Sequence, residues 1–170
     1  MADNEIQDLR ARLQKGMIFL GALAEGAEKL QKDASLAVGY LAGKKVGTDS
    51  IEGVEQTDDP VKAVGLLREA LLKQGVDWNF EIFKPEGQPA PIKEEEGKKV
   101  IYLVFRDCII RNVLYHYGYA QKKSLCTMSH GVFAGALEKI IPDKTINLEI
   151  EHSGENACYK VLTIAPKQSK

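Results

Sequence analysis

TINLEIEHSGENACYKVLTIA, residues 145–165, decides the fold. Two runs in which apolar residues alternate with polar ones flank the tetrad SGEN, the pattern of two strands closed by a tight turn. Ile146, Leu148 and Ile150 fall on one face of the first strand. The turn region also carries a carboxylate, an imidazole and a thiol (Glu151, His152, Cys158) within eight residues. This hairpin is therefore both a sheet element and a candidate metal site.

Working outward, SLCTMSHGVFAGALEKIIP (124–142) reads as a helix capped by Ser124 and stopped by Pro142. VIYLVF (100–105) is a continuous apolar strand, and DCIIRNVLYHYG (107–118) a short helix ending at Gly118. VDWNFEIF (76–83) sets Val76, Trp78, Phe80 and Ile82 against polar partners, an amphipathic strand. KPEGQPAPIKEEEGKK (84–99) is an exposed hairpin loop. PVKAVGLLREALLKQG (60–75) is a helix with Pro60 at its first position, Asp58 or Asp59 as cap and Gly75 as stop.

The N-terminal part is helical too. Residues 3–15 carry a thin apolar stripe of Ile6, Leu9 and Leu13, and residues 17–43 are rich in Ala, Gly and Leu. Gly21, Gly26, Gly39 and Gly43 each cost an isolated helix about 1 kcal/mol. The compensation expected is close helix approach, in one broken helix or a tight pair. KKVGTDSIEGVEQTDD (44–59) reads as a polar loop. The result is an α+β domain, an antiparallel β-sheet flanked by helices. It forms a single unit over 1–170, with a helical part at 1–58 and an α+β core at 59–165.

Composition narrows the function. A net charge of -1 argues against nonspecific binding to nucleic acid or an anionic membrane. No apolar run approaches the roughly 20 residues of a membrane span, and the first residues are too polar for a secretory signal. Three cysteines, an odd number, fit a reducing cytoplasm better than a disulfide framework. No P-loop, dinucleotide fingerprint or Ser-His-Asp spacing is present, so no catalytic residue is assigned. Tyr115, His116 and Tyr119 could wall a pocket for an aromatic or lipid-like ligand. Arg106, Asp107 and Arg111 suit an ion pair, and Cys108 a core position.

A cysteine opening a helix (Cys126), a glutamate 23 positions on (Glu149), then G-x-x-x-C (Gly154 to Cys158) resembles the 4-vinyl reductase domain. This small-molecule-binding family is related in fold to TRAPP tethering subunits and haem nitric-oxide sensors. The resemblance implies a structural zinc on Cys126, Glu149, His152 and Cys158, with His152 standing at a cysteine position of the family pattern. On a regular strand Glu149 and His152 face opposite sides, so the set requires a bulge or early turn at Glu151. His130, four residues after Cys126 on one helix face, is the alternative fourth ligand. The resemblance further implies a non-catalytic module for a small hydrophobic molecule, paired as a homodimer through N-terminal residues near 5–25. An enzyme or enzyme accessory of tetrapyrrole or one-carbon metabolism, and a ligand-free scaffold, are the alternatives.

Overall fold

The structure, a computed structural model, describes residues 2–76, 78–106, 108–119 and 123–167, with side chains from residue 7 onward apart from those at 10, 14 and 109. Asp107 of the expected ion pair, and the side chain of Ile6, lie outside that set. Ten elements follow in order: α1 (Ala2–Leu30), α2 (Lys32–Ser50), α3 (Pro60–Lys73), β1 (Phe80–Phe83), β2 (Ile92–Glu95), β3 (Lys98–Arg106), α4 (Ile109–His116), α5 (Ser124–Ile140), β4 (Lys144–Ser153) and β5 (Ala157–Pro166). The expected α+β architecture is present.

All pairings in the sheet are antiparallel. Strand β3 is its spine: β1 pairs with the second half of β3 (Phe80 opposite Phe105) and β2 with the first half (Ile92 opposite Ile101). β5 runs along the other edge of β3, and β4 pairs with β5 outside it. The residues expected to be one loop at 84–99 thus contain a short strand, which turns into β3 through Glu96 and Gly97 at positive φ. Strand β1 begins only at Phe80; Trp78 instead stacks on Phe133 at 5.9 Å.

One sheet face carries the core. Ile101, Leu103 and Phe105 of β3, Ile146 and Leu148 of β4, and Cys158, Leu162 and Ile164 of β5 are all buried there, under α5 and α3. Phe133 of α5 sits 5.0 Å from Phe80 and 5.2 Å from Phe105, ring centre to ring centre. Asp59 caps α3, accepting from Val61 and Lys62 backbone N–H, and Pro60 occupies the first turn as expected. The opposite sheet face carries a half-buried stack, Tyr102 on Tyr159 at 5.4 Å.

Helix α2 continues through 44–50, the first part of the stretch expected as a polar loop, because its glycines are spent on packing. Gly39, Gly43 and Gly47 face the backbone carbonyls of Ser124, Met128 and Val132 in α5; a Cβ there would lie 2.6, 1.9 and 2.0 Å from those oxygens. From the other side, a Cβ on Gly131 or Gly135 would meet the carbonyls of Tyr40 or Lys44 at 2.1 Å. The contacts advance in steps of four on both helices, so α2 and α5 run parallel with glycine against backbone. Such closeness brings Cα–H groups against carbonyls, each contact contributing perhaps 0.5–1 kcal/mol. Lys44 and Glu138 pair across the seam at 2.7 Å.

Helix α5 is capped by another helix. Ser124 is its first residue, not its cap; Glu28 of α1 accepts from both Ser124 N (2.8 Å) and Ser124 Oγ (2.5 Å). The second Glu28 oxygen pairs with Lys123 Nζ at 3.1 Å. Burial alone would raise the Glu28 pKa, but the Ser124 hydrogen bonds and Lys123 outweigh it and hold the carboxyl below its usual range. A capping carboxylate at the positive end of a helix explains why a glutamate can be buried here.

Helices α1 and α2 nevertheless leave much apolar surface open. Leu9, Leu13, Phe19, Leu20, Leu23, Leu30 and Val38 are all exposed. Between α1, α2 and α5 runs an open groove of about 730 Å³ walled by Leu20, Leu23, Leu30, Val38 and Met128.

The seam makes a direct prediction. Gly43→Ala should lower stability by about 3 kcal/mol or more, since the methyl must displace backbone. Gly26→Ala, with nothing within 4 Å of its Cβ, should be neutral or stabilise by up to about 1 kcal/mol. Thermal midpoints decide it; similar losses for the two variants would refute the close approach.

Candidate functional site

The polar centre of the molecule is Lys160. Strand alternation places it between Cys158 and Leu162 on the inner face of β5, and it is 2% exposed. Its Nζ donates to Ser129 Oγ at 3.1 Å and lies 4.3 Å from the centre of the Phe105 ring. Ser129 spends its own proton on the Cys126 carbonyl at 2.6 Å, leaving its lone pairs for the lysine. The cation over the ring face gains a cation–π contact, strengthened by desolvation.

Cys158 stands two residues before Lys160 on the same face of β5, while Cys108 and Cys126 belong to the smaller apolar cluster. Cys108 precedes α4 as its N-cap residue, Cys126 lies in the first turn of α5, and Cys158 sits on β5; all are buried and outside any disulfide. The Lys160 pKa is lowered, because burial disfavours the charged amine more than Cys108, Cys126 and Cys158 favour it. Among the described residues no carboxylate acts on it. His130, next along α5 from Ser129, has a buried Nε2 without a hydrogen-bond partner among the described residues. Burial, then the Lys160 charge, pushes its pKa from 6.5 to about 3, so the ring is neutral at ordinary pH.

The zinc set implied by the family resemblance is not assembled. Cys126 and Cys158 point inward, as that set requires. The bulge needed at Glu151 does occur: Ile150 pairs with Lys160, while the next pair is His152 with Tyr159. Its effect is to put Glu149 and His152 together on the outer face, where both are exposed. Glu149 there accepts from Asn147 Nδ2 at 2.8 Å. Ser153, not His152, reaches the inner side and contacts Cys158 Sγ at 3.2 Å. His130 is largely buried and feels the Lys160 charge, and it too belongs to no ligand set among the described residues. Among the described residues no group of three or more His, Cys, Asp or Glu side chains is arranged to hold a metal ion. The physical reason is the sheet itself, which separates alternate side chains to opposite faces.

The aromatic candidates also part company. Tyr115 and His116 line an open depression of about 350 Å³ together with Asn112, Val113, Tyr117 and Glu155. Tyr119 turns away to pack on α1, where a Cβ on Gly21 would lie 3.0 Å from its ring. Arg106 pairs with Glu81 at 2.7 Å. Arg111 is 4% exposed and donates to Asn112 Oδ1 at 3.0 Å. Lys160 was not singled out from the sequence, although its signal was present: counting by two from Cys158 through Leu162 to Ile164 passes through it.

No family model and no curated protein matches the chain. Among solved structures, the chain is similar to the phenol-responsive sensory domain of the transcription activator PoxR, determined with phenol. The two share 17% identity with a TM-score of 0.60, covering 87% of this chain and 73% of that one. The likeness is one of fold. No described helix is long and apolar enough to cross a membrane.

His130 gives this centre a pH signature. Unfolded, its imidazole takes up a proton near pH 6.5; folded, it does so only near pH 3. The stability it contributes is complete above the unfolded value and is lost as pH falls through that window. Denaturant midpoints between about pH 6.5 and 5 should fall in the wild type and fall less in His130→Gln. An unchanged slope in the variant would mean that another group carries the acid sensitivity.

Proposed function

We propose that this chain is a non-catalytic binding domain of 4-vinyl reductase type, taking a small hydrophobic or aromatic molecule in a reducing, cytoplasmic setting. The observation that carries this reading is the shared fold with a sensory domain determined with phenol. Three buried cysteines, none in a disulfide, fit the reducing compartment. The ligand would sit against Tyr115 and His116, where aromatic edges and a few polar groups adjoin, the usual make-up of a small-molecule site.

Calorimetry with phenol, catechol and a purely apolar aromatic such as toluene tests this reading, beside native mass spectrometry of the protein as purified from cells. Binding of at least one aromatic is expected, weakened about tenfold or more by Tyr115→Ala or His116→Ala, a loss of about 1.4 kcal/mol or more. No binding and no copurified molecule would overturn the reading; binding that both variants leave unchanged would move the site elsewhere.

The exposed leucines of α1 favour one further element, a homodimer built on that helix. A contiguous apolar face is covered most simply by its two-fold copy. Light scattering at micromolar concentration should give twice the chain mass, and Leu9→Glu with Leu23→Glu should halve it. A monomeric wild type would end this part of the proposal.

A further inference from the structure

Arg111, in the first turn of α4, is a buried arginine without a carboxylate. It is 4% exposed, and its Nε and Nη1 are sealed from solvent with no hydrogen-bond partner among the described residues. Its Nη2 donates to Asn112 Oδ1 at 3.0 Å, a neutral amide oxygen. A guanidinium does not lose its charge in a protein, and it presents its N–H donors as a rigid planar fork. Burying such a group without an opposite charge is costly. An arginine kept in this position calls for an anion that the described residues do not supply.

Asn112 connects the arginine to the surface. Its Oδ1 holds the guanidinium, and the same residue lines the open depression of about 350 Å³ with Val113, Tyr115, His116, Tyr117 and Glu155. An amide oxygen is a weak substitute for a carboxylate there, because it carries no net charge and meets one nitrogen where a carboxylate meets two.

We propose that Arg111 is the anion-binding residue of this depression, and that the ligand is a single-ring aromatic carboxylate whose oxygens replace Asn112 Oδ1 on the guanidinium. The inference rests on the reading of the chain as a binding domain for a small aromatic molecule, and it names the class of molecule. Size agrees: the depression lies at the small end of ligand sites, which run from about 300 to 1,000 Å³. Shape agrees, since a planar carboxylate matches the guanidinium fork with two parallel bonds, while Tyr115, His116 and Tyr117 offer aromatic surface to a ring. Charge selects a monoanion. The exposed Glu155 carboxylate at the rim repels a doubly charged phosphate more than a carboxylate, and one guanidinium balances one negative charge.

Calorimetry on the full chain with benzoate, its neutral isostere benzamide, phenol and toluene tests the inference. Benzoate should bind about tenfold or more tightly than benzamide. Arg111→Met, similar in length but uncharged, should bring benzoate down to the benzamide level and leave phenol within about twofold. Without ligand, this variant should match or exceed the wild-type thermal midpoint, because no partner is lost with the charge. Benzoate should then raise the wild-type midpoint and not that of the variant. A lowered midpoint in the folded variant, with benzoate affinity unchanged, would give Arg111 a structural role and overturn the inference. If Arg111→Met does not fold, Asn112→Ala decides: removing the oxygen that the carboxylate displaces should tighten benzoate about threefold or more. Unchanged or weaker benzoate binding there counts against the displacement and sinks the inference. Binding of phenol or toluene with no preference for benzoate over benzamide overturns this inference alone. No binding of any of the four overturns it together with the binding-domain reading.

Discussion

Backbone contact between α2 and α5 is the constraint from which the rest of the structure follows. Five glycines, three on α2 and two on α5, let each helix lay its carbonyls against the other without an intervening Cβ. The benefit is geometric as much as energetic. Pressed from above by α2, α5 has its remaining faces free for the sheet, and Phe133, Leu137 and Ile140 are fully buried there. The same seat fixes Cys126, Ser129 and His130 on the flank that meets β5 and α4. A helix that could slide or rotate by one side-chain width would not hold Ser129 within 3.1 Å of Lys160.

The glutamate cap completes that placement. With Glu28 on Ser124 and Lys123, the start of α5 is tied to α1, while Gly39 of α2 touches the same Ser124 from the other side. Burial of a carboxylate and of an ammonium in one small domain is costly unless each is met by partners. Glu28 has backbone N–H, hydroxyl and lysine. Lys160 has a hydroxyl and an aromatic face, but burial still lowers its pKa, so the two groups are held in different ways near the start of α5.

What the sequence discloses divides along the range of the interactions. Local signals read correctly: Asp59 and Pro60 start α3, Gly75 ends it, and the alternation at 145–165 gives β4 and β5. The bulge at Glu151 was required by the spacing of Glu149 and His152, and it exists. Which side it sends them to is not a local property; that depends on the pairing of His152 with Tyr159, set by the register of β5 on β3. The cap of α5 comes from a residue 96 positions away, which no spacing rule reaches. Helix α2 was cut short at Gly43 because Gly47 and the polar residues around it look like a loop until α5 supplies the partner surface. Cys108 was read as core, and it is buried in the small apolar cluster with Ile110, Leu114 and Cys126.

Length explains the surface left uncovered. Helix α1 has 29 residues, so it is about 43 Å long at 1.5 Å per residue, whereas α2 with 19 residues spans about 29 Å. Met17 of α1 already packs on the small apolar cluster around Cys108 and Leu114. The residues before it run on for roughly 20 Å at the same rise, past the last layer of the domain. Leu9 and Leu13, 65% and 56% exposed, lie on that overhang. No repacking of α2 can cover them, because α2 departs from the far end of α1 at Gln31 and follows α5 away from it. Their exposure is therefore a consequence of helix length and direction.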